Sequence, residues 1–191
     1  MVDARSSIGI TASAINILGN IPYIASILRG QTKPQRATWF IWFIVVLISA
    51  FTYHDVGARA TLWILYAGLF NIGVILLLSF KYGIGGWQRL DKICLLGAAV
   101  SLIVWWRTSS PLFGLVIILF VGVLGTILTA IKQWQHPGTE DRLAWTMGMI
   151  AITLNIFAVE RWTFDYALYP VCSFFETALI TALAFRKPLS N

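Results

Sequence analysis

GNIPYIASILRGQTKPQRATWFIW, residues 19–42, decides the fold of this chain. It reads as the end of one apolar segment, a short basic loop and the start of the next apolar segment. The same plan returns at an offset of 106 residues without a gap. Because the matching residues hold the same places on the same kind of hairpin, the pattern predicts two copies of one unit, an arrangement typical of membrane transporters. The matching pairs are Gly19 with Gly125, Arg36 with Arg142, Trp39 with Trp145 and Ile44 with Ile150.

The composition predicts that lipid is the solvent of this chain. Of its 191 residues, 58% are hydrophobic and only 12% are charged, whereas a soluble domain has about 25% charged residues. The net charge of +6 comes from basic residues scattered through short loops. That distribution favours a membrane protein with cytoplasmic Lys and Arg over a nucleic-acid-binding protein. The lipid bilayer is therefore an expected partner, and nucleic acid is not.

Seven segments are long and apolar enough to cross a bilayer as helices, since about 20 residues span roughly 30 Å of hydrocarbon. Barrel strands are excluded because they would alternate in polarity. Four Lys and Arg residues lie on the side of the N-terminus and ten on the other side. This asymmetry predicts that the N-terminus is outside and the C-terminus is cytoplasmic, and the short loops favour a bacterial inner membrane. The segments are 8–28, 37–53, 60–80, 91–107, 111–132, 143–160 and 167–185.

The first three and the last three segments are expected to be the two repeats, because the fourth segment has no counterpart. Residues 1–83 then form the first three-helix repeat, 84–110 contain a linker helix, and 111–191 form the second three-helix repeat. Three spans invert the chain and a fourth restores its direction, so the repeats are parallel and related by an axis along the membrane normal. The predicted fold class is an all-α integral membrane protein with seven transmembrane helices.

This 3+1+3 plan resembles the SWEET sugar transporters and the wider PQ-loop superfamily, and the resemblance covers nearly the whole chain. The family's Pro-Gln dipeptide in the first helix of each repeat is represented by Pro22 alone and, in the second copy, by neither residue at Leu128. The family's substrate-facing asparagines are matched by Asn71 and, in the second copy, by Glu176. The resemblance implies a cargo site between two repeats, and the acid argues against a sugar as cargo. The KDEL receptor and the bacterial nicotinamide riboside transporters resemble the same fold.

Glu176 is the residue on which the function is expected to depend. It lies at the centre of the segment 167–185, where an acid costs on the order of 3 kcal/mol on insertion scales. No Lys or Arg lies at a similar depth, so Glu176 is expected to be protonated or hydrogen-bonded to a neutral group. Tyr169, Ser173 and Thr177 share its helical face. Such a polar stripe faces either a cavity or, as the structural alternative, another helix.

Further candidates lie in other segments. Asn16 and Asn20 share a face of the first segment, where a cavity role and interhelical hydrogen bonding are equal alternatives. Tyr66 lies on a face of the third segment that packs or stacks on a ring-shaped cargo, and Asn155 is a weaker polar candidate. Pro22 is expected to kink the first helix and to act as a hinge. The predicted substrate-binding residues are Asn71, Glu176, Asn16, Asn20, Tyr66, Tyr169, Ser173 and Asn155.

Other polar and aromatic residues are expected to serve the scaffold. The tryptophans, mostly near segment ends, are predicted to form an interfacial belt. Arg36 and Arg142 are interpreted as topology signals. Glu160, in the loop before the last segment, is interpreted as a solvated surface residue rather than as part of an extracellular gate.

Enzymatic activity is not expected, because no nucleophile–base pair, metal-ligand spacing or nucleotide-binding motif occurs in the sequence. No catalytic residue, metal or cofactor is predicted. The predicted function is transport of a small polar or amphiphilic solute by alternating access between the two repeats, with proton linkage and homo-oligomerisation left open. The alternatives are a seven-helix ligand-binding receptor or sensor of the KDEL-receptor type and an accessory membrane subunit.

Overall fold

The computed structural model describes residues 3–85, 89–108 and 111–186, without the side chains of residues 90, 94, 98, 101, 102, 105 and 111. Lys187, one of the ten basic residues counted above, lies outside the described residues. Within these ranges the chain is helical and contains no strand. The helices are α1 (Ala4–Leu28), α2 (Arg36–Asp55), α3 (Leu62–Tyr82), α4 (Arg89–Thr108), α5 (Pro111–Gln135), α6 (Arg142–Phe157) and α7 (Phe164–Ala184).

Five of the described helices, namely α1, α2, α3, α5 and α7, are long and apolar enough to cross a membrane. The predicted all-α membrane class is confirmed in this coarser form. Two expected spans do not meet the same measure. α6 has 16 residues, about 24 Å of helix, which is short of the roughly 30 Å hydrocarbon core. α4 carries Arg89, Asp91, Lys92 and Arg107 within its 20 residues.

Six of the helices form a ring, and α4 lies outside it. α3 packs against both α1 and α2, and α7 packs against both α5 and α6. Contacts of α1 with α6 and of α2 with α5 close the ring, while α4 packs against α5 and α2. Aliphatic side chains such as Ile41, Leu65, Leu115 and Ile118 are almost completely buried. The ring is therefore held by apolar packing between neighbouring helices.

The helix ends follow local chemistry. The Asp3 carboxylate accepts a hydrogen bond from the Ser6 amide at 2.6 Å, which begins α1 and lowers the pKa of Asp3. Asp141 accepts from the Ala144 amide at 2.8 Å and begins α6 in the same way. After α2 the chain turns at Gly57, whose φ of 82° suits glycine because it has no Cβ.

Candidate functional site

A cavity of about 180 Å³ lies inside the ring and is lined by α1, α2, α3, α5, α6 and α7. A cavity of this size suits a small solute, since an engineered cavity of about 150 Å³ binds benzene. Its lining combines aromatic rings, aliphatic side chains and a few polar groups, as in many small-molecule sites. Six of the eight predicted binding residues line this one cavity: Asn16, Asn20, Asn71, Tyr169, Ser173 and Glu176.

The structure does not place the other two predicted residues at the cavity. Tyr66 is 46% exposed on the outer face of α3 beside Trp63 and Phe70, which are 47% and 65% exposed. Helical spacing showed that these three side chains share a face, but it could not show that this face turns outward. Asn155 is fully buried in α6 without lining the cavity, and neither atom of its side-chain amide has a hydrogen-bond partner among the described residues. Their predicted binding roles are not supported.

The asparagines of α1 and α3 are hydrogen-bonded to one another. Asn71 Nδ2 donates to Asn16 Oδ1 at 2.7 Å and to the Asn16 carbonyl at 3.1 Å. Asn20 Nδ2 donates to the same carbonyl at 3.2 Å. The Asn16–Asn71 bonds join α1 to α3, whereas the Asn20 bond lies within α1, and all three residues also line the cavity.

Two residues that line the cavity each have a buried polar atom without a hydrogen-bond partner among the described residues, namely Glu176 Oε1 and Trp42 Nε1. Each lies over a glycine of α5. Glu176 Oε1 is 3.5 Å from the point that a Cβ would occupy at Gly122, and Trp42 Nε1 is 3.2 Å from the corresponding point at Gly125. These glycines are three residues apart, which is about 4.5 Å along a helix. An unpaired acceptor and an unpaired donor thus approach the same stretch of α5 without bonding each other.

Four aromatic rings wall one part of the cavity: Tyr23, Trp39, Trp42 and Trp145. Consecutive ring centroids lie 5.4, 5.2 and 6.0 Å apart, and the ring planes are inclined by 50 to 86°. Trp39 is only 7% exposed. The prediction of an interfacial belt is therefore wrong for these three tryptophans, because the first turns of α2 and α6 point them into the ring. Their spacing of three residues, Trp39 to Trp42, was the available signal for one shared helical face.

Glu140 closes the ring where α2 and α6 begin, and we call this the Glu140 end. Glu140 belongs to the loop between α5 and α6 and is only 5% exposed. Its Oε2 accepts hydrogen bonds from Tyr23 Oη at 2.7 Å and from Trp145 Nε1 at 2.8 Å. Its Oε1 forms an ion pair with the buried Lys132, whose Nζ also donates to the Lys33 carbonyl at 3.0 Å. Sequence reasoning missed Glu140, because an acid in a polar loop is normally solvated.

Tyr53 closes the opposite end of the ring, which we call the Tyr53 end. The fully buried Tyr53 hydroxyl donates to the Tyr166 carbonyl at 3.0 Å and accepts from the Tyr169 amide at 3.0 Å. Pro170 has no amide hydrogen, so the Tyr166 carbonyl lacks its partner within α7. Tyr53 of α2 supplies that partner, and Tyr166 Oη in turn donates to the Val56 carbonyl at 2.9 Å. The break that Pro170 makes in α7 is thereby bridged from another helix.

Glu160 adds a second connection at the Tyr53 end. Its carboxylate accepts from the Arg59 amide at 3.1 Å and from the Ala60 amide at 2.9 Å. The Glu160 carbonyl accepts a hydrogen bond from the Arg5 guanidinium. The interpretation of Glu160 as a merely solvated residue is therefore wrong, because it joins the loop before α7 to the loop before α3 and to the start of α1.

Removing the Tyr53 hydroxyl should destabilise α7. In Tyr53→Phe the Tyr166 carbonyl would be left unpaired in an apolar surrounding, which costs about 1–2 kcal/mol. Chemical unfolding in bicelles, followed by circular dichroism, measures this loss. Tyr66→Phe is the matched control, because Tyr66 is exposed on the outer face and its change should stay within about 0.5 kcal/mol. Equal stabilities of the two variants would contradict the bridging role of Tyr53.

Pro22 lies within α1, which runs without interruption from Ala4 to Leu28. As at Pro170, the missing amide leaves the carbonyl four residues earlier, on Leu18, without its helical partner. The hinge role of Pro22 stays a prediction.

No group of His, Cys, Asp and Glu residues that could hold a metal ion occurs among the described residues.

No family model, curated protein or solved structure matches this chain. The function is therefore inferred from the cavity and from the contacts that close its two ends.

Proposed function

We propose that this chain is a membrane transporter that moves a small polar or amphiphilic solute by alternating access. Residues 1–83 and 111–191 are the two moving units, joined by the linker α4, and the solute binds in the cavity between them. The observation that carries the proposal is a mostly apolar cavity between the units, lined by Glu176 and closed at each end by bonds from one unit to the other; Glu176 Oε1 has no hydrogen-bond partner among the described residues.

The proposal includes seven membrane-spanning helices in a bacterial inner membrane, with the N-terminus outside and the C-terminus cytoplasmic. The distribution of Lys and Arg supports this orientation. The short α6 crosses with local thinning of the bilayer, which costs only fractions of a kcal/mol per Å. The Glu140 end is then cytoplasmic, and the Tyr53 end is outside.

Helix packing supports two repeats related by a two-fold axis. The contacts of α3 with α1 and α2 correspond to those of α7 with α5 and α6, and the α1–α6 contact corresponds to the α5–α2 contact. Gly19 of α1 lies against Met147 of α6, where an added Cβ would come within 2.7 Å of the Met147 side chain. Gly125 of α5 lies against Ile41 of α2, where an added Cβ would come within 3.3 Å of the Ile41 side chain. Both members of the second pair differ by 106 positions from their counterparts in the first.

Two arginines support the same relation. Arg36 at the start of α2 donates to the Ser79 and Gly83 carbonyls at the end of α3, at 3.0 and 2.8 Å. Arg142 at the start of α6 donates to the Ala184 carbonyl at the end of α7 at 2.9 Å. Beyond any role as topology signals, these residues pair with carbonyls that a helix C-terminus leaves free. In each unit the second helix thereby holds the end of the third.

The bonds at the two ends provide the gates that alternating access requires. At the Glu140 end, Tyr23 of the first unit bonds to the loop between α5 and α6 of the second. At the Tyr53 end, α2 of the first unit bonds to α7 of the second. Breaking one set while keeping the other opens the cavity to one side only. The units would then rock about the cavity between two discrete arrangements.

Spin-label distances across both ends test this motion without knowledge of the solute. One pair of labels on the exposed Arg29 and Leu143 reports the Glu140 end, and a second pair on the exposed Arg59 and Trp162 reports the Tyr53 end. Both native cysteines are replaced by serine, and distances are measured by pulsed electron resonance in nanodiscs. We expect Glu140→Gln to lengthen the first distance and to shorten the second.

Tyr53→Phe should produce the opposite shift in the same assay. A receptor or an accessory subunit has no need to open one end while closing the other. Distances that stay unchanged in both variants, or that lengthen together, would therefore exclude alternating access. Tyr66→Phe is the control, because Tyr66 lies outside both ends of the ring and its substitution should leave both distances unchanged.

A further inference from the structure

Among the lining residues that the structure describes, the one side chain that can carry a charge near neutral pH is an acid. Glu176 is this acid, and no Lys, Arg or His lies among the lining residues that the structure describes. A carboxylate formed there would be an uncompensated charge, which is strongly unfavourable in an apolar surrounding. An anionic solute would add a second negative charge beside it. A cationic solute instead supplies the counter-charge that the protein itself does not provide.

The aromatic wall favours the same ligand class. Ammonium groups bind against the faces of aromatic rings, with tryptophan the most favourable, by about 0.5–2 kcal/mol or more when water is excluded. Trp39, Trp42 and Trp145 line the cavity together, and consecutive rings pack edge to face, so they form a continuous aromatic wall. A quaternary or protonated ammonium group binds favourably against such a wall.

The unpaired indole nitrogen adds a second requirement. Trp42 Nε1 is buried and donates to no described group, and a tryptophan nitrogen can only donate. It approaches α5 one turn from Glu176 Oε1, as the positions of Gly122 and Gly125 show. A ligand that pairs with both the Glu176 carboxylate and the Trp42 N–H group carries a positive charge and, a few bonds away, an oxygen acceptor.

We propose that the cavity binds a small organic cation that also carries an oxygen acceptor, with the cation between Glu176 and the tryptophan rings and the acceptor on Trp42 Nε1. This assignment deepens the proposed transport function and rests on it. Choline has the required pattern, a quaternary nitrogen and a hydroxyl group two carbons apart, and is small enough for a cavity of about 180 Å³. It serves as the probe for the ligand class.

Three probes separate the two requirements. Choline has both features, 3,3-dimethylbutan-1-ol has the same shape and hydroxyl without the charge, and tetramethylammonium has the charge without the acceptor. Their affinities for the purified protein in nanodiscs are measured by calorimetry. We expect choline to bind at least about tenfold more tightly than either of the others, a difference of 1.4 kcal/mol.

Two variants test whether the Glu176 carboxylate and the Trp42 N–H group cause the preference for choline. Glu176→Gln keeps the size of the side chain and should remove the preference for choline over the neutral alcohol. Trp42→Phe keeps an aromatic ring without the N–H group and should remove the preference for choline over tetramethylammonium. Trp63→Phe, on the exposed outer face of α3, is the matched control and should leave all three affinities unchanged.

The proposal is overturned if choline does not bind, if the neutral alcohol binds as tightly as choline, or if Glu176→Gln leaves their ratio unchanged. Its failure differs from a failure of the transport proposal. Opposed spin-label shifts without choline binding would leave a transporter for another class of solute. Choline binding without opposed shifts would leave a cation-binding receptor.

Discussion

Glu140→Ala is expected to lower the free energy of unfolding by about 3–5 kcal/mol, the range for removing one partner of a buried ion pair. Lys132 is only 5% exposed and would retain the Lys33 carbonyl as its one hydrogen-bond partner among the described residues. Tyr23 Oη and Trp145 Nε1 would lose their acceptor in the same substitution. The large effect follows because one side chain pairs with three donors in a buried position.

A double variant separates the charge from the hydrogen bonds. Lys132→Met in the Glu140→Ala background removes the unpaired cation and should recover a large part of the lost stability. Unfolding in bicelles monitored by circular dichroism gives all four free energies of the cycle. Asp55→Ala is the matched control, since its contact with His54 is exposed and should contribute less than about 1 kcal/mol. If Glu140→Ala costs no more than Asp55→Ala, Glu140 does not hold this end closed.

Mid-depth polar residues could be assigned from the sequence because the bilayer limits where they can lie. A carboxyl or an amide on the lipid face is penalised, so Glu176 and Asn71 had to face inward, and the cavity contains both. Tyrosine and tryptophan are amphipathic and are tolerated on either face. That tolerance is why Tyr66 was assigned inward and Trp42 outward, each opposite to its observed position.

The contacts that close the two ends of the ring could not be found in this way. Glu140 lies in a loop rich in polar residues, and its partner Tyr23 is 117 positions away, so no local pattern marks it as buried. Pro170 is a visible signal, because a proline within a helix leaves one carbonyl unpaired. The sequence does not show which side chain donates a hydrogen bond to that carbonyl, because the donor Tyr53 is 113 positions from Tyr166. Both contacts depend on how the two units pack together.

Glu176→Gln should abolish accumulation driven by a pH gradient. In the empty cavity the carboxyl group is expected to hold a proton, because no cation lines the cavity to compensate its charge. When an organic cation binds, the proton leaves the carboxyl group and the carboxylate pairs with the cation. Each cation carried in one direction is then exchanged for one proton carried in the other. A glutamine side chain releases no proton in the pH range of the assay, so the exchange should be lost.

The surroundings make Glu176 itself the expected carrier of the proton. Its neighbours on α5 are Gly122 and Thr126, and Val45 of α2 packs against the same glycine; none of these residues titrates. On its own helix the titratable neighbours are Tyr169 and Cys172, and Tyr23 is the other titratable residue of the lining. Phenol and thiol groups ordinarily lose their protons well above neutral pH. Glu176 is therefore the one carboxyl group available for exchange among the described lining residues.

Proteoliposomes with an acidic lumen measure the effect with radiolabelled choline. One-for-one exchange allows protons to leave as choline is taken up, so a gradient of one pH unit should concentrate choline up to about tenfold, and the reversed gradient should prevent accumulation. The exposed Asp55→Asn is the control and should behave as the unmodified protein. Glu176→Gln should give no accumulation in either gradient.

If Glu176→Gln concentrates choline like the unmodified protein at every pH, the proton is not carried by Glu176. A solute carried together with the proton would instead accumulate from an acidic exterior, and the sign of the gradient therefore distinguishes a cation from a neutral cargo.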